Sequence, residues 1–295
     1  MRHAIYYDDH RRVTRNDGAP MYVWNVLKNQ MKEDVEHLIP DARRMGGFGK
    51  FDLHWWVDWG EDALGGIIDY KPIVCPKPSI YWVSDTHLGY EYRLSKAREF
   101  DHVFCMQKRA AEEFKRDGIE NPIWLPHAFE PAAYPRRVII PKYDVCFVGH
   151  VNAPNRIDFL DRMFKEFPNF FFGRRLFEEA AQKFNESKIV LNVSIKDDLN
   201  MRCMETMGSG SFLLTNELPT LGELFKDGVH LVTYKDLDDA VDKARYYIEH
   251  DEERQKIAAA GYEEAIKKHT YAHRVQTILN AVKEKSLCPQ LTAAL

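Results

Sequence analysis

Two Rossmann-like α/β domains, each built on a parallel sheet with helices on both faces, follow from three features of the sequence. Short apolar segments alternate with amphipathic ones of helical period along nearly the whole chain. Most of the apolar segments are near-continuous rather than alternating, as strands covered on both faces are. Two such series flank the stretch PAAYPRRVIIPKYD, whose three prolines and two adjacent arginines mark it as a linker. A length of 295 residues suits two domains of ordinary size. The expected division is 1–138 and 139–295, with the two sheets facing across a cleft.

In the first series HAIYY (3–7) is a strand, TRNDGAP a loop, and residues 20–33 a helix. FDLHWWV (51–57) and SIYWVSD (79–85) are the next strands. YEYRLSKAREF is helical, FDHVFCM a strand, and KRAAEEFKRDG a helix stopped at Gly118. NPIWLPHAFEP supplies one more strand, cut off by its prolines. The second series runs DVCFVGH, NFFFG, KIVLNVS, SFLLTN and HLVTY as strands. Between them RIDFLDRMFKEF, LFEEAAQKFNES, NMRCMETMG and GELF are helical. From Asp236 the tail is helical, with a break near His269-Thr270-Tyr271.

Composition narrows the function classes. A hydrophobic content of 45% with 29% charged residues fits a globular protein with a full core. A net charge of −4 and a pI near 6.3 give no general attraction to nucleic acid or to anionic lipid. Five scattered cysteines without a CxxC point to a reducing compartment. MRHAIYYDDHRR is no signal segment and no apolar run reaches membrane-span length, so a cytoplasmic protein is expected.

Several motifs invite a metal or phosphate reading. YWVSDTHLG (81–89) ends an apolar strand in Asp85-x-His87, which resembles the first ligand strand of metallophosphoesterases. That family also needs GDxxD, GNH(D/E) and GHxH segments. The nearest piece, Phe147-Val148-Gly149-His150-Val151-Asn152, has Asn152 where the last histidine belongs. Two ligands and a near miss do not assemble a two-metal centre. Gly46-Gly47-Phe48-Gly49-Lys50 lacks the Walker spacing and precedes a strand, and His269 with His273 has no evident third ligand. No metal site is therefore expected.

The block SKIVLNVSIKDDLNMRCMETMGSGSFLLTN (187–216) carries the most chemistry. A strand runs into a polar turn, and a helix opens near Asn200-Met201-Arg202. A helix N-terminus at the carboxyl end of parallel strands is where open α/β sheets bind phosphates. Glu205 lies about one turn into that helix, where its carboxylate suits a ribose diol; an ordinary surface Glu is the bland alternative.

This block, with DDLNMR-x-x-E, resembles the donor segment of GT-B glycosyltransferases, in particular the CgeB-like (spore-maturation-type) branch of the group 1 enzymes. FDHVFCMQKRAAEEFKRDGIENPIWLPHAFEP and the stretch from LGELFKDG to YAHRV resemble the same branch, so the likeness spans nearly all of 80–285. It implies a GT-B fold, the last helix packing back on the first domain, and transfer of a sugar from a nucleotide-diphosphate sugar (UDP-, GDP- or dTDP-linked). The reaction it implies is retaining and metal-independent, with no further cofactor. The acceptor is open: a glycan, protein, lipid or small molecule.

Site roles follow from the resemblance residue by residue. Asp197 and Glu205 occupy the paired acidic positions eight residues apart, with Asp where Glu is usual. Glu205 would take the ribose, Asp197 or Asp198 the sugar, and the Asn200–Met201–Arg202 segment the diphosphate. Relatives carry Gly-Arg and a later Lys after the first strand of this domain; here stand Gly149-His150 and Arg156. One of Arg156, Arg174 or Arg175 would supply the missing cation, and Phe172-Gly173-Arg174 falls where relatives contact the base. His87 would orient the reacting sugar from the first domain, with Asp85 orienting it or capping the loop. Asp8, Asp9 and His10, at the end of the first strand, are acceptor-side candidates. A GT-B protein that binds a glycan or nucleotide without transfer is the alternative, and a metallophosphoesterase using Asp85 and His87 the more distant one.

Overall fold

The computed structural model describes residues 1–6, 18–38, 51–57, 76–151, 154–195 and 199–287. The chain forms two compact units, Met1–Pro126 with Tyr271–Leu295, and His127–Thr270. The break at 126/127 precedes the expected 138/139. The intervening residues pack with the second unit: Phe129 is buried in its core and donates its N–H to His269 O (3.1 Å), and Arg137 N donates to Asn185 Oδ1 (2.8 Å).

In the first unit β1 (Arg2–Tyr6), β2 (Asp34–Leu38), β3 (Leu53–Val57), β4 (Ser79–Val83), β5 (His102–Cys105) and β6 (Ile123–Trp124) form one sheet ordered β2-β1-β3-β4-β5-β6. Every pairing is parallel. One face carries Ala4, Tyr6, Trp56, Tyr81 and Val83 against α2 (Tyr90–Ala97) and α3 (Lys108–Arg116), which come after α1 (Ala19–Asn25) in the chain. On the other face Trp82 meets Tyr271 of the C-terminal helix (Tyr271–Leu287), at 5.9 Å between ring centroids, and Tyr271 meets Tyr22 of α1 at 4.9 Å. The helix expected over 20–33 is shorter: α1 passes into a π turn at Val26–Gln30 and stops before Lys32, whose φ is +59°. The chain then enters β2, an edge strand that the sequence reading does not foresee because Asp34 and Glu36 are exposed.

In the second unit β7 (Tyr143–Val148), β8 (Phe170–Gly173), β9 (Ser187–Asn192), β10 (Leu213–Asn216) and β11 (Val232–Tyr234) are ordered β11-β10-β9-β7-β8, again with parallel pairing. Val145, Phe147, Ile189, Leu191 and Leu214 point to one side, under α4 (Pro154–Glu166). Cys146, Val148, Val190 and Leu213 point to the other, under α5 (Phe177–Asn185) and α6 (Met201–Gly208). Both faces are thus dry, which is why these strands lack polar alternation. A short 3₁₀ turn (Leu221–Glu223), α7 (Leu237–Glu249) and α8 (Asp251–Lys268) complete the unit.

In each sheet the winding reverses between neighbouring strands, β1/β3 in the first and β7/β9 in the second. The crevice outside the carboxyl ends at such a switch point is where open α/β sheets take ligands. The segments following β1 and β3 lie outside the described residues, and with them Asp8, Asp9 and His10. No helix among the described residues is long and apolar enough to cross a membrane.

Candidate functional site

The site is built at the β7/β9 switch point of the second unit. β7 delivers Val148 and then Gly149-His150, while β9 delivers Asn192 and then Val193-Ser194. α6 opens at Met201 with Asn200 as the residue before it. Asn192 is fully buried at the end of β9, after the apolar run Ile189-Val190-Leu191, and its whole amide is engaged. Its Nδ2 lies 2.9 Å from Thr215 Oγ1, 3.0 Å from Ser194 Oγ and 3.3 Å from Cys203 Sγ. Its Oδ1 accepts from Asn200 Nδ2 at 3.1 Å and from Arg202 Nη1 at 2.6 Å. Tyr234 donates its hydroxyl to Asn192 O (2.8 Å), and Asn216 Oδ1 receives Ser194 N (2.8 Å). One amide thereby sets the ends of β9 and β10 and the opening of α6 relative to each other.

Arg202 reaches back from the first turn of α6 to the end of β7. Its Nε donates to Val148 O at 2.6 Å, and its guanidinium lies 4.4 Å from the Phe147 ring centroid. Burial, and after it the charge of Arg156, lower its pKa to about 10, so the group stays cationic at neutral pH. Arg156 is a brace: Nη1 donates to His150 O (2.8 Å) and Nη2 to Val193 O (2.5 Å), tying the turn after β7 to the end of β9. Its Nε is enclosed without a partner among the described residues. Gly149 N donates to Gly173 O (3.3 Å), which brings the ends of β7 and β8 together.

Glu205 is partly buried one turn further along α6 and accepts a hydrogen bond from Tyr134. Burial pushes its carboxyl up to about 7; Tyr134 and the Arg202 charge pull the other way without cancelling it. A carboxyl poised there is half-ionised at neutral pH, the condition of a group that gains from hydroxyl donors.

The structure therefore gathers Gly149, Arg156, Gly173, Asn200, Met201, Arg202 and Glu205 around one strand-end crevice. His150 and Arg174 are exposed at its margin, and Arg175 donates Nη1 to Arg174 O (2.7 Å). Asp197 and Asp198 lie outside the described residues. In the first unit, Asp85 takes φ +46° in the turn after β4, His87 is exposed, and Leu88 N donates to Asp85 O (2.8 Å). Buried Arg93 holds that turn through Ser84 O (3.0 Å) and Leu88 O (2.6 Å). Among the described residues no group of three or more His, Cys, Asp or Glu is assembled around a common point. Sequence reasoning misses Asn192 and Tyr134. A lone Asn in KIVLNVS is the available signal for the first; nothing local marks the second.

Residues 138–280 match a family model described as glycosyl transferase-like. No curated protein matches the chain in sequence. Among solved structures, HepE of Anabaena in complex with UDP-glucose superposes with a TM-score of 0.62 at 14% identity, over 96% of this chain and 100% of that one. Sucrose-phosphate synthase of Thermosynechococcus elongatus gives 0.65 at 10% identity, over 97% and 100%. A DNA-modifying β-glucosyltransferase, solved with and without UDP-glucose, gives 0.61 at 14%, over 96% and 99%. These likenesses establish the fold: two parallel-sheet α/β domains of the GT-B type.

Proposed function

We propose that this chain is a glycosyltransferase that moves a sugar from a nucleoside-diphosphate sugar, in the first instance a UDP-sugar, to a hydroxyl-bearing acceptor. The observation that carries the reading is the β7/β9 crevice, where an amide-locked helix opening and the carboxyl of Glu205 stand one helical turn apart. That spacing suits a diphosphate at the helix N-terminus and a ribose diol at Glu205. The match of this unit to a glycosyl transferase-like family and the UDP-glucose held by HepE support the same reading. The DDLNMR-x-x-E stretch puts the chain, on this reading, in the CgeB-like branch.

In the reaction the bond from the anomeric carbon to the diphosphate oxygen breaks, and the acceptor oxygen bonds to that carbon. The nucleoside diphosphate departs with the bonding electron pair, and its oxygen takes up the acceptor's proton. The transition state is oxocarbenium-like, and the charge gathering on the diphosphate is what the protein must stabilise. The helix opening and the arginines serve that role, so transfer should survive EDTA. Asp197 or Asp198 would face the sugar; His87 and Asp85 are candidates to orient it, and Asp8, Asp9 and His10 candidates for the acceptor.

A thermal-shift panel of UDP-, GDP-, dTDP- and ADP-sugars tests the donor reading, because a ligand bound only by the folded state raises the melting temperature. A shift with one nucleotide class, lost in Glu205→Ala, is expected. Tight nucleotide binding with no release of sugar to water or any acceptor would favour the non-catalytic alternative.

A further inference from the structure

We infer that Tyr134 is a positioning residue: from a strap fixed to α6, its hydroxyl aims the Glu205 carboxylate at a vicinal diol of the ligand. The inference rests on the nucleoside-diphosphate donor proposed above, and it adds a residue from outside the helix that carries Glu205.

The strap is residues 129–137, held against α6 and the turn beyond it on both sides of Tyr134. Upstream, the Phe129 ring fills the place of a side chain at Gly208, where a Cβ would lie 2.3 Å from the ring. Downstream, Arg136 does the same at Gly210, where φ is +77° and a Cβ would lie 2.8 Å from the Arg136 side chain. The Arg136 guanidinium lies 4.7 Å from the Tyr262 ring centroid. Arg137 N donates to Asn185 Oδ1 (2.8 Å), and Asn185 Nδ2 donates to Ser209 O and Ser211 Oγ, each at 2.8 Å. Between these anchors Tyr134 N donates to Glu130 O (3.0 Å), and Tyr134 is buried in the core that includes Cys203, Met204 and Met207 of α6. The Gly208-Ser209-Gly210 turn thus has a reason in packing: a side chain at 208 would push the strap off α6.

Tyr134 is the one hydrogen-bond partner of the Glu205 carboxyl among the described residues. A carboxylate accepts at about four lone-pair sites, so one donor orients it and leaves room for two hydroxyls. Arg202, on the same helix, is the other group that favours its charge, and among the described residues α5, α8 and the strand ends add no further one. A donated hydroxyl favours the ionised carboxyl, which can accept from both hydroxyls of a diol. A protonated carboxyl gives up one acceptor position to its own proton. Affinity for a diol should therefore fall as the pH drops through the carboxyl's titration. Loss of the Tyr134 hydroxyl should move that fall to higher pH, which a packing role alone would not do.

Calorimetric titration of the whole chain with UDP-glucose, from about pH 6 to about pH 9, tests this, because the phosphates of that ligand do not titrate in the range. Tyr134→Phe keeps the ring and removes only the donor, and circular dichroism with a cooperative melt establishes that it is folded. The variant should bind as the wild type does near pH 9 and about fivefold or more weakly near pH 7. In a Glu205→Gln background Tyr134→Phe should change the affinity no further. Unchanged binding at every pH, a uniform loss at every pH, or the same loss without the Glu205 carboxyl overturns the inference and leaves the donor reading standing. No binding of UDP-glucose by the wild type at any pH overturns the UDP-sugar reading and this inference together.

Discussion

Glu205 sits where burial and its neighbours act in opposite directions on one carboxyl. Burial favours the neutral form, Tyr134 and Arg202 favour the ionised one, and the outcome is a pKa raised from 4.5 to about 7. A raised folded-state pKa contributes stability that is present below the unfolded value and lost as pH rises through the folded one. Glu205→Gln should therefore stabilise the free protein at pH 8, by up to about 3 kcal/mol, and have little effect near pH 4. The same change should weaken UDP-glucose binding at pH 8 at least tenfold, because an amide replaces a charged acceptor of two hydroxyls. Melting curves at the two pH values and one titration check both halves. A Glu205→Gln variant that is less stable at pH 8, or that binds as the wild type does, contradicts this account of the carboxyl.

The strands show what acid does to the first unit. β1 and β3 bury His3 and His54 on opposite faces of the sheet: Trp55 Nε1 donates to His3 Nδ1 (3.1 Å), and the Tyr6 hydroxyl is 2.8 Å from His54 Nδ1. Burial lowers both pKa values from 6.5 to about 4. Unfolding then takes up protons between those limits, so stability holds above pH 6.5 and falls as the pH drops toward 4. Denaturant melts should show a slope approaching about 1 kcal/mol per pH unit in that window, since Glu205 offsets one of the two histidines, made shallower by His54→Gln. A pH-flat melt between 6.5 and 4 would refute it. These elements also mark where sequence reasoning succeeds. DVCFVGH, KIVLNVS and SFLLTN read as strands because both faces of the second sheet are apolar. β2 does not, because an edge strand needs only one buried side chain, Val35, and its charges mimic a loop. Glu205, Asn200 and Arg202 are legible because a helix opening and a fixed spacing are local properties. The Asn192 lattice is not, since its members come from β9, α6 and β10 and meet only after folding.

At the level of the whole molecule, the chain crosses from the first unit to the second at 126/127 and returns at 270/271. Prolines make 131–144 look like the linker, but the contacts of Phe129 and Arg137 decide the boundary, and such contacts leave no local trace in composition. The C-terminal helix is structural to the first unit: Tyr271 is fully buried between Tyr22 and Trp82, and Arg274 Nε donates to Pro126 O (2.8 Å). Tyr271→Ala should cost about 3 kcal/mol and should perturb the near-ultraviolet signal of Trp82. A loss under about 1 kcal/mol would mean the helix is dispensable to that unit. The central claim concerns chemistry at the other unit's strand-end crevice. Its most direct test is release of UDP from UDP-glucose, with and without EDTA, by the wild type and by Glu205→Ala. The account predicts turnover that survives the chelator and disappears in the variant. UDP release undiminished in Glu205→Ala, or none from any nucleoside-diphosphate sugar, would contradict it.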